Sequence, residues 1–225
     1  MDRRFAHIRD WIFDLDNCLY PASTGLFSLI DERMGAYIER LLGCNSEEAR
    51  RIQKAHFHTH GTTLAGLMKE HGVDAHDFLA DVHDIPLDRV KADERLGRLL
   101  SQLPGRRLVF TNGDAPYARR VLEAIGVHSH FDELHDIHAS ELKPKPDPHG
   151  YALLCDRFGI DPNHALLADD MVKNLAPAKA LGMTTIWVDN GSEQAGRAYD
   201  EAIVDVRVTD LADWLESIVG DEDDG

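Results

Sequence analysis

Short apolar segments alternate with amphipathic helical patterns along most of this sequence, and the alternation limits the folds that the chain can adopt. Strands are predicted at residues 11–13, 107–110, 165–168 and 184–188, with weaker candidates at 133–138 and 204–208. Helical periodicity fills most of the intervals between them. Strands that alternate with helices predict a parallel sheet covered on both faces, and therefore an α/β fold.

One long segment interrupts this alternation. Residues 22 to about 90 contain no convincing strand, and their apolar periodicity predicts four helices. These run from a cap at Ser23 or Thr24 to about residue 42, from 46 to about 60, from 63 to 70 and from 75 to 82. We therefore expect an all-helical domain at residues 21–92, inserted into a core domain built from residues 1–20 and 93–225.

The chain is strongly acidic, with 40 Asp and Glu against 24 Lys and Arg and a formal net charge of −16. This balance argues against nucleic acid or an anionic membrane as the main partner, because both favour basic patches. It does not argue against a phosphorylated small molecule, since a metal ion or one lysine can dominate the charge of a site. The acidic run at residues 221–225 is expected to be solvated.

The cysteines and the chain start point to a reducing compartment. Cys18, Cys44 and Cys155 are an odd number at wide spacing, which suggests neither a disulfide framework nor a zinc site. The first residues lack the apolar segment of a signal peptide, and no stretch approaches membrane-spanning length without charges. We therefore expect a soluble cytoplasmic protein.

Four polar clusters follow apolar segments: Asp14-x-Asp16, Thr111-Asn112-Gly113, Lys145-Pro-Asp-Pro148 and Asp169-Asp170. The carboxyl ends of parallel strands lie along one edge of a sheet, so three clusters should converge there with the lysine nearby. Carboxylates as close as Asp14 and Asp16 are costly unless a cation or a shared proton relieves their repulsion. A carboxylate nucleophile, a second acid, a hydroxyl, a lysine and acids for Mg²⁺ together predict a phosphoryl-transfer site.

Each cluster alone also has a purely structural explanation. An Asp-x-Asp pair after a strand is often a solvated loop or a helix cap, and Thr-Asn-Gly is a common turn. The proline-rich lysine segment, which can neither form a helix nor lie inside a sheet, would be a stiff connector. An acid pair at a helix start is favoured by the helix dipole. The order and strand context of all four clusters make catalysis the stronger interpretation.

With these motifs the chain resembles the phosphatases of the haloacid dehalogenase superfamily, whose four signature motifs occur here in order. Within that superfamily it resembles the pyrimidine 5′-nucleotidase group. The matching segments are residues 13–20, 61–67 and 110–113. The resemblance implies a Rossmann-like three-layer core with a parallel sheet, and an inserted helical cap that closes over the substrate.

The resemblance implies specific roles for the acids. Asp14 would attack phosphorus and form an aspartyl-phosphate, while Asp16 would protonate the leaving alkoxide and then activate the hydrolytic water. Mg²⁺ would be bound by Asp14, the backbone carbonyl of Asp16 and Asp170, with Asp169 acting through water. Oxygen ligands and retained waters are what Mg²⁺ prefers.

The resemblance also implies which residues bind phosphate. Thr111, with the backbone of Asn112 and Gly113, would hold phosphate oxygens. Lys145 would neutralise charge on the nucleophile and on the phosphate. Lys143 also precedes a proline, but the segment that begins at Lys145 fits the family's loop better.

Substrate residues are expected mainly in the cap. The family's cap segment faces the active site, so His60, Thr62 and Thr63 are candidate substrate contacts, together with Tyr20 after the first motif. The favoured substrates are pyrimidine nucleoside 5′-monophosphates such as UMP and CMP. Another small phosphorylated metabolite, a sugar or cofactor phosphate, is the alternative.

Three other functions remain open. A phosphomutase shares all four clusters and differs by protecting its aspartyl-phosphate from water. A 2-haloacid dehalogenase shares the fold and the nucleophile, but it needs no acid at the position of Asp16. A non-catalytic binding module is a third possibility, which the intact catalytic set argues against.

The histidines at positions 56, 58 and 60 raise the question of a metal site. Only His56 and His60 share a face of the predicted helix, because residues two apart point in nearly opposite directions. The sequence suggests no third ligand. A solvated or cap-facing histidine pair is therefore the favoured interpretation, and zinc is the alternative.

Overall fold

A computed structural model describes residues 1–191 and 199–220, and its centre is a parallel sheet. The strands are β1 (Asp10–Phe13), β2 (Arg106–Phe110), β3 (Glu133–His135), β4 (Ala165–Asp169), β5 (Thr184–Val188) and β6 (Val206–Val208). Their order across the sheet is β3-β2-β1-β4-β5-β6, with each neighbouring pair parallel. The acidic run at residues 221–225 lies outside the described residues.

Helices occupy most of the remaining chain. Four follow one another within residues 21–92: α1 (Leu26–Leu42), α2 (Ser46–His60), α3 (Thr63–His71) and α4 (Ala75–Val82). The later helices are α5 (Glu94–Gln102), α6 (Ala115–Ile125), α7 (Pro148–Phe158), α8 (Val172–Leu181) and α9 (Leu211–Val219). Residues 21–92, all of which are described, contain no strand, and we call this segment the cap. The exact domain boundaries stay a prediction.

No helix among residues 1–191 and 199–220 is both long enough and apolar enough to cross a membrane. A transmembrane helix needs about 20 mainly apolar residues.

The central strand divides the apolar interior into two clusters. Trp11 and Phe13 pack in one cluster together with residues of α5, α6 and α9, whereas Ile12 packs in the other with α7 and α8. All three side chains are fully buried. Alternate residues of a strand point to opposite faces of the sheet, so both faces must be covered to bury all three. Helices therefore cover both faces, and the predicted three-layer α/β core is confirmed.

β1 ends at Phe13, where the sequence predicts, so that Asp14 and Asp16 lie in a loop after the strand. The starts of two helices differ from the sequence-based predictions. α1 begins at Leu26, after Gly25 takes a left-handed φ of +65°. α7 begins at Pro148, which the prediction had placed in a loop that forms no helix. Proline is tolerated there because the first N–H groups of a helix have no partner within the helix.

Candidate active site

The loop after β1 places the first motif at the centre of the sheet edge. β1 lies between β2 and β4, and the amide of Asp14 still donates to the carbonyl of Ala168 in β4, at 2.8 Å. The chain then turns, with the Leu19 amide donating to the Leu15 carbonyl at 3.1 Å. Asn17 adopts a left-handed φ of +57°, which asparagine tolerates better than most residues. The motif therefore lies beside the ends of both neighbouring strands.

A buried lysine joins two of the motif acids. The Lys145 ammonium lies 2.7 Å from Asp14 Oδ1, 2.7 Å from Asp169 Oδ2 and 2.8 Å from the Phe110 carbonyl oxygen. These contacts use all three of its N–H donors, and the residue is only 2% exposed. Lys143 is exposed. The geometry thus supports Lys145 rather than Lys143 as the lysine of the site.

The Thr-Asn-Gly cluster follows β2 at the same edge and holds the lysine in place. The Lys145 amide donates to Asn112 Oδ1 at 2.7 Å, and Asn112 Nδ2 donates to the Lys145 carbonyl at 3.2 Å. The buried Thr111 hydroxyl accepts from the Gly113 amide at 2.9 Å. Asn112 therefore positions the lysine through its side chain, a role that the sequence did not predict.

The second acid pair completes a group of three buried carboxylates. Oxygens of Asp14, Asp169 and Asp170 lie within 4.8 Å of one another. Asp169 already accepts hydrogen bonds from Lys145, from Asn174 Nδ2 at 2.9 Å and from a backbone amide at 2.9 Å. Clustered carboxylate oxygens suit Mg²⁺. Because Asp169 is so extensively engaged by the protein, an indirect contact through water suits it better than direct ligation.

Burial governs the electrostatics at Asp14, the predicted nucleophile. It raises the pKa of Asp14 to about 7, the Lys145 ammonium opposes that rise, and the nearby charges of Asp169 and Asp16 add to it. For Lys145, burial would lower the pKa, but the charges of Asp14 and Asp169 outweigh it and the net shift is upward. The lysine therefore stays charged. A further cation beside Asp14 would favour the charged carboxylate form of Asp14.

Two tyrosines hold the other acid of the first motif. The hydroxyls of Tyr20 and Tyr117 donate to the same oxygen of Asp16, Oδ1, at 2.6 Å and 2.7 Å. Burial and the nearby Asp16 charge raise the pKa of both phenols well above the usual value, so they remain hydrogen-bond donors. The hydroxyl of Tyr20, a predicted substrate contact, is engaged by Asp16 in the structure, and its role in substrate binding stays a prediction. Tyr117, in α6, carried no sequence signal.

The predicted substrate residues of the cap make their observed contacts within the cap. His60 Nε2 lies 2.9 Å from Glu70 Oε1. The Thr62 hydroxyl is the N-cap of α3 and accepts a hydrogen bond from a backbone amide of that helix at 3.1 Å. The buried Thr63 hydroxyl donates a hydrogen bond to a backbone carbonyl of α2 at 3.4 Å. None of these contacts involves the acids at the sheet edge. A role for the three residues in substrate binding stays a prediction.

The cap nevertheless adjoins the site at two places. A Cβ atom added at Gly61 would lie 3.9 Å from Pro144, which directly precedes the buried lysine. His83, after α4, stacks on Tyr117 with ring centres 4.2 Å apart, and its Nδ1 lies 2.7 Å from Asp114 Oδ1. His83 carries no sequence signal, because a lone histidine after a helix has no recognisable pattern. It links the cap to the tyrosine that holds Asp16.

Fold and site together define an enzyme-like α/β protein with its polar groups at the carboxyl edge of a parallel sheet. Residues 11–182 match the family model of the haloacid dehalogenase-like hydrolases, and the chain belongs to that family. The resemblance to this superfamily inferred from the motifs is therefore confirmed.

Curated relatives include two proteins with long alignments. Phosphate metabolism protein 8 of Saccharomyces cerevisiae is 28% identical over 191 residues, which are 77% of this chain and 59% of that protein. Phosphoglycolate phosphatase of Rhodospirillum rubrum is 26% identical over 221 residues, 91% of this chain and 89% of that one. The chain thus spans less than two thirds of the yeast protein and most of the bacterial one.

Solved structures share the fold over nearly the whole chain. A HAD phosphatase from Thermococcus onnurineus has a TM-score of 0.65 at 18% identity, covering 95% of this chain and 98% of that one. L-2-haloacid dehalogenase from Xanthobacter autotrophicus has a TM-score of 0.58 at 17% identity, covering 95% and 99%. At these identities the likeness shows a common fold. It does not separate phosphatase from dehalogenase.

Proposed function

We propose that this chain is a Mg²⁺-dependent phosphomonoesterase that forms an aspartyl-phosphate on Asp14. The observation that carries the proposal is the buried Lys145 ammonium, which lies 2.7 Å from both Asp14 and Asp169. A fixed positive charge next to a carboxylate nucleophile offsets the repulsion between that carboxylate and an incoming phosphate. The names of the relatives, which include several phosphatases, support the same reaction class.

Hydrolysis would proceed in two displacements. In the first, a carboxylate oxygen of Asp14 bonds to phosphorus while the bond from phosphorus to the ester oxygen breaks, and Asp16 gives its proton to the departing alkoxide. In the second, Asp16 takes a proton from water, the water oxygen bonds to phosphorus, and the bond to Asp14 breaks. The products are an alcohol and inorganic phosphate, and Asp14 is regenerated. Thr111 would bind phosphate oxygens, with the Asn112 and Gly113 backbone.

The donor set at the sheet edge fits Mg²⁺. Asp14 and Asp170 offer buried carboxylate oxygens in one group with Asp169, and all of the donors are oxygens. We assign direct ligation to Asp14, Asp170 and the backbone carbonyl of Asp16, and contact through water to Asp169. When bound, the ion supplies positive charge to the phosphate oxygens and orients the phosphate.

Pyrimidine nucleoside 5′-monophosphates are the substrates that we propose first. The support is the match of residues 13–20 and 61–67 to the segments of that nucleotidase group. Contacts from His60, Thr62 and Thr63 would come from the cap, and Tyr20 would act near Asp16. We also propose that the enzyme works in the cytoplasm.

A second candidate is a phosphatase for another small metabolite. It is favoured by relatives whose names specify phosphoglycolate and N-acylneuraminate 9-phosphate. A phosphomutase shares the same acids, whereas a dehalogenase has no need of an acid at position 16. The two tyrosine hydroxyls that hold Asp16 argue that this acid has a task in the reaction.

Phosphate release from a panel of phosphorylated metabolites tests the proposal. The parent enzyme with Mg²⁺ should release phosphate, and UMP and CMP should rank highest by kcat/KM. The Asp14→Asn variant should lose at least about 10³-fold in kcat. Hydrolysis at the parent rate by that variant would remove the covalent mechanism. If sugar or cofactor phosphates outrank the nucleotides, the nucleotidase assignment is wrong, and isomerisation without phosphate release would indicate a mutase.

A further inference from the structure

Three side chains that can ligate metals meet in the cap, outside the candidate active site. His56 and His60 lie one turn apart on α2, and Glu70 reaches them from α3. Glu70 Oε1 is 2.9 Å from His60 Nε2 and 3.8 Å from His56 Nδ1. One ligand atom of each residue lies within 4.8 Å of the other two. Glu70 is the third ligand that the sequence did not suggest.

The distances suit a tetrahedral ion. Metal–nitrogen and metal–oxygen bonds of about 2.0–2.1 Å in a tetrahedral zinc site place neighbouring ligand atoms about 3.4 Å apart. The two distances to Glu70 Oε1, 2.9 Å and 3.8 Å, lie on either side of that value. Small side-chain rotations would therefore form the site without a change in the α2–α3 backbone.

His56 is held in place by the packing of the cap. It is 5% exposed, and its Nε2 has no hydrogen-bond partner among the described residues. A Cβ atom added at Gly66 would lie 2.4 Å from the His56 ring, so only glycine at that position leaves space for the imidazole. A buried imidazole with one nitrogen facing a carboxylate is a preorganised ligand.

The cluster is accessible from solvent on its other side. The Glu70 side chain is half-exposed, and His56 and Glu70 line a surface cavity of about 280 Å³. His71 borders the same cavity, with its ring centre 5.8 Å from that of His56. An ion could enter through this opening and complete its coordination with water.

We propose that His56, His60 and Glu70 bind one divalent transition-metal ion of the Zn²⁺ type. Two imidazoles and one carboxylate match the ligands of zinc, whereas the all-oxygen group at the sheet edge matches Mg²⁺. The ion would join the last turn of α2 to the end of α3. That turn leads directly into Gly61, which lies against the segment carrying Lys145. The site is independent of the proposed phosphatase activity.

Cobalt titration of the metal-free full chain tests this site. Excess Mg²⁺ is present throughout to occupy the carboxylates at the sheet edge. One equivalent of Co²⁺ should give the visible absorption of a tetrahedral site, and Zn²⁺ should displace it. Glu70→Gln and His60→Ala should each weaken Co²⁺ binding by at least about tenfold.

Two variants serve as controls. His58→Ala removes an exposed histidine of the same helix that points away from the cluster, and it should leave Co²⁺ binding unchanged. Asp170→Asn removes a carboxylate of the sheet edge and should retain the tetrahedral spectrum. Absence of that spectrum in the parent, or parent affinity in Glu70→Gln, would show that the proposal is wrong.

A thermal measurement gives a second, independent result. Zn²⁺ should raise the melting temperature of the parent in the presence of Mg²⁺, because an ion that binds only the folded state stabilises it. The same addition should not raise the melting temperature of Glu70→Gln. This substitution is at a half-exposed position, so the variant is expected to fold. An equal increase in both proteins would contradict the proposed ligand set.

Discussion

The sheet edge and the cap use their polar side chains differently. At the sheet edge, charged groups are buried and satisfy one another, as Lys145 does between Asp14 and Asp169. In the cap, the residues expected to contact substrate make local contacts: Thr62 is the N-cap of α3, and His60 contacts the half-exposed Glu70. Contacts between distant segments therefore build the proposed reaction site, whereas local contacts account for these cap residues.

This contrast has a physical basis. Buried charges are tolerated only when several elements supply partners at fixed positions, so the residues of such a site recur as compact motifs. Helix caps and surface pairs tolerate many substitutions, and a substrate contact among them has no distinctive spacing. Substitutions in each region can separate the two kinds of contact.

The largest effect is expected from Lys145→Met. Loss of the ammonium should lower kcat by about 10³-fold, because a preorganised charge at the reacting phosphate is removed. It should also lower the free energy of unfolding by about 3–5 kcal/mol, since Asp14 and Asp169 would be left as buried acids without their cation. Phosphate-release kinetics and urea unfolding measure the two effects.

The matched control is Lys143→Met, at an exposed position two residues away. It should change neither kcat nor stability appreciably. If the two variants behave alike, the lysine of the site has been assigned to the wrong residue, and the contrast between buried and exposed charges fails with it.

His135 tests whether every buried ionisable group of the core needs a partner. Both of its ring nitrogens lack a hydrogen-bond partner among the described residues, and burial lowers its pKa to about 4. In the unfolded chain the His135 imidazole takes up a proton near pH 6.5, whereas in the folded protein it does so only near pH 4. The contribution of His135 to the free energy of unfolding should therefore be fully present above pH 6.5. It should decrease as the pH falls, by about 3 kcal/mol at pH 4.

The variant His135→Leu should remove this part of the pH dependence, because leucine carries no titrating group and no hydrogen bond is lost. Urea unfolding at several pH values between 4 and 7 gives the comparison. His128→Gln, at an exposed position, is the control and should retain the parent slope. A parent slope in His135→Leu would mean that other groups cause the acid sensitivity.

The tyrosines on Asp16 are expected to have a smaller effect. Tyr117→Phe removes one of two hydroxyls from Asp16 Oδ1, and Tyr20→Phe removes the other. Each should lower kcat by about tenfold, the value of one hydrogen bond to a charged group, with KM nearly unchanged. An unchanged kcat in both variants would show that these hydroxyls have no part in the reaction.

Much of the core could be predicted from the sequence, for reasons that the structure makes clear. Residues 11–13 read as a strand because a strand buried on both faces is a continuous apolar run. The carboxyl ends of neighbouring parallel strands lie at the same edge of the sheet. This order therefore brings the acids that follow β1 close to the acids at the end of β4. The helices of the cap were predicted because their N-caps and terminal glycines are local signals, as at Asn45 and Gly43.

Specific side-chain contacts between distant segments could not be predicted. Tyr117 contacts Asp16 across 101 positions, and Asn112 bonds the backbone of Lys145 across 33. Nothing around Tyr117 distinguishes it from other helix residues, and the motif that contains Asn112 does not show which segment its side chain contacts. The contact between Glu70 and His60 could not be predicted either, because it depends on how α2 packs against α3.

The smallest effect is expected at Thr62, where the cap's local contacts can be separated from substrate binding. Thr62→Ala removes the N-cap of α3 and should lower the free energy of unfolding by about 1 kcal/mol. Thr62→Ser keeps a capping oxygen and should keep the stability of the parent. If the hydroxyl serves only the helix, KM for the best substrate should stay the same in both variants. A KM that rises in Thr62→Ala and recovers in Thr62→Ser, by more than the stability change explains, would instead make this threonine a substrate contact. The cap would then carry specificity through the same atoms that begin its helices.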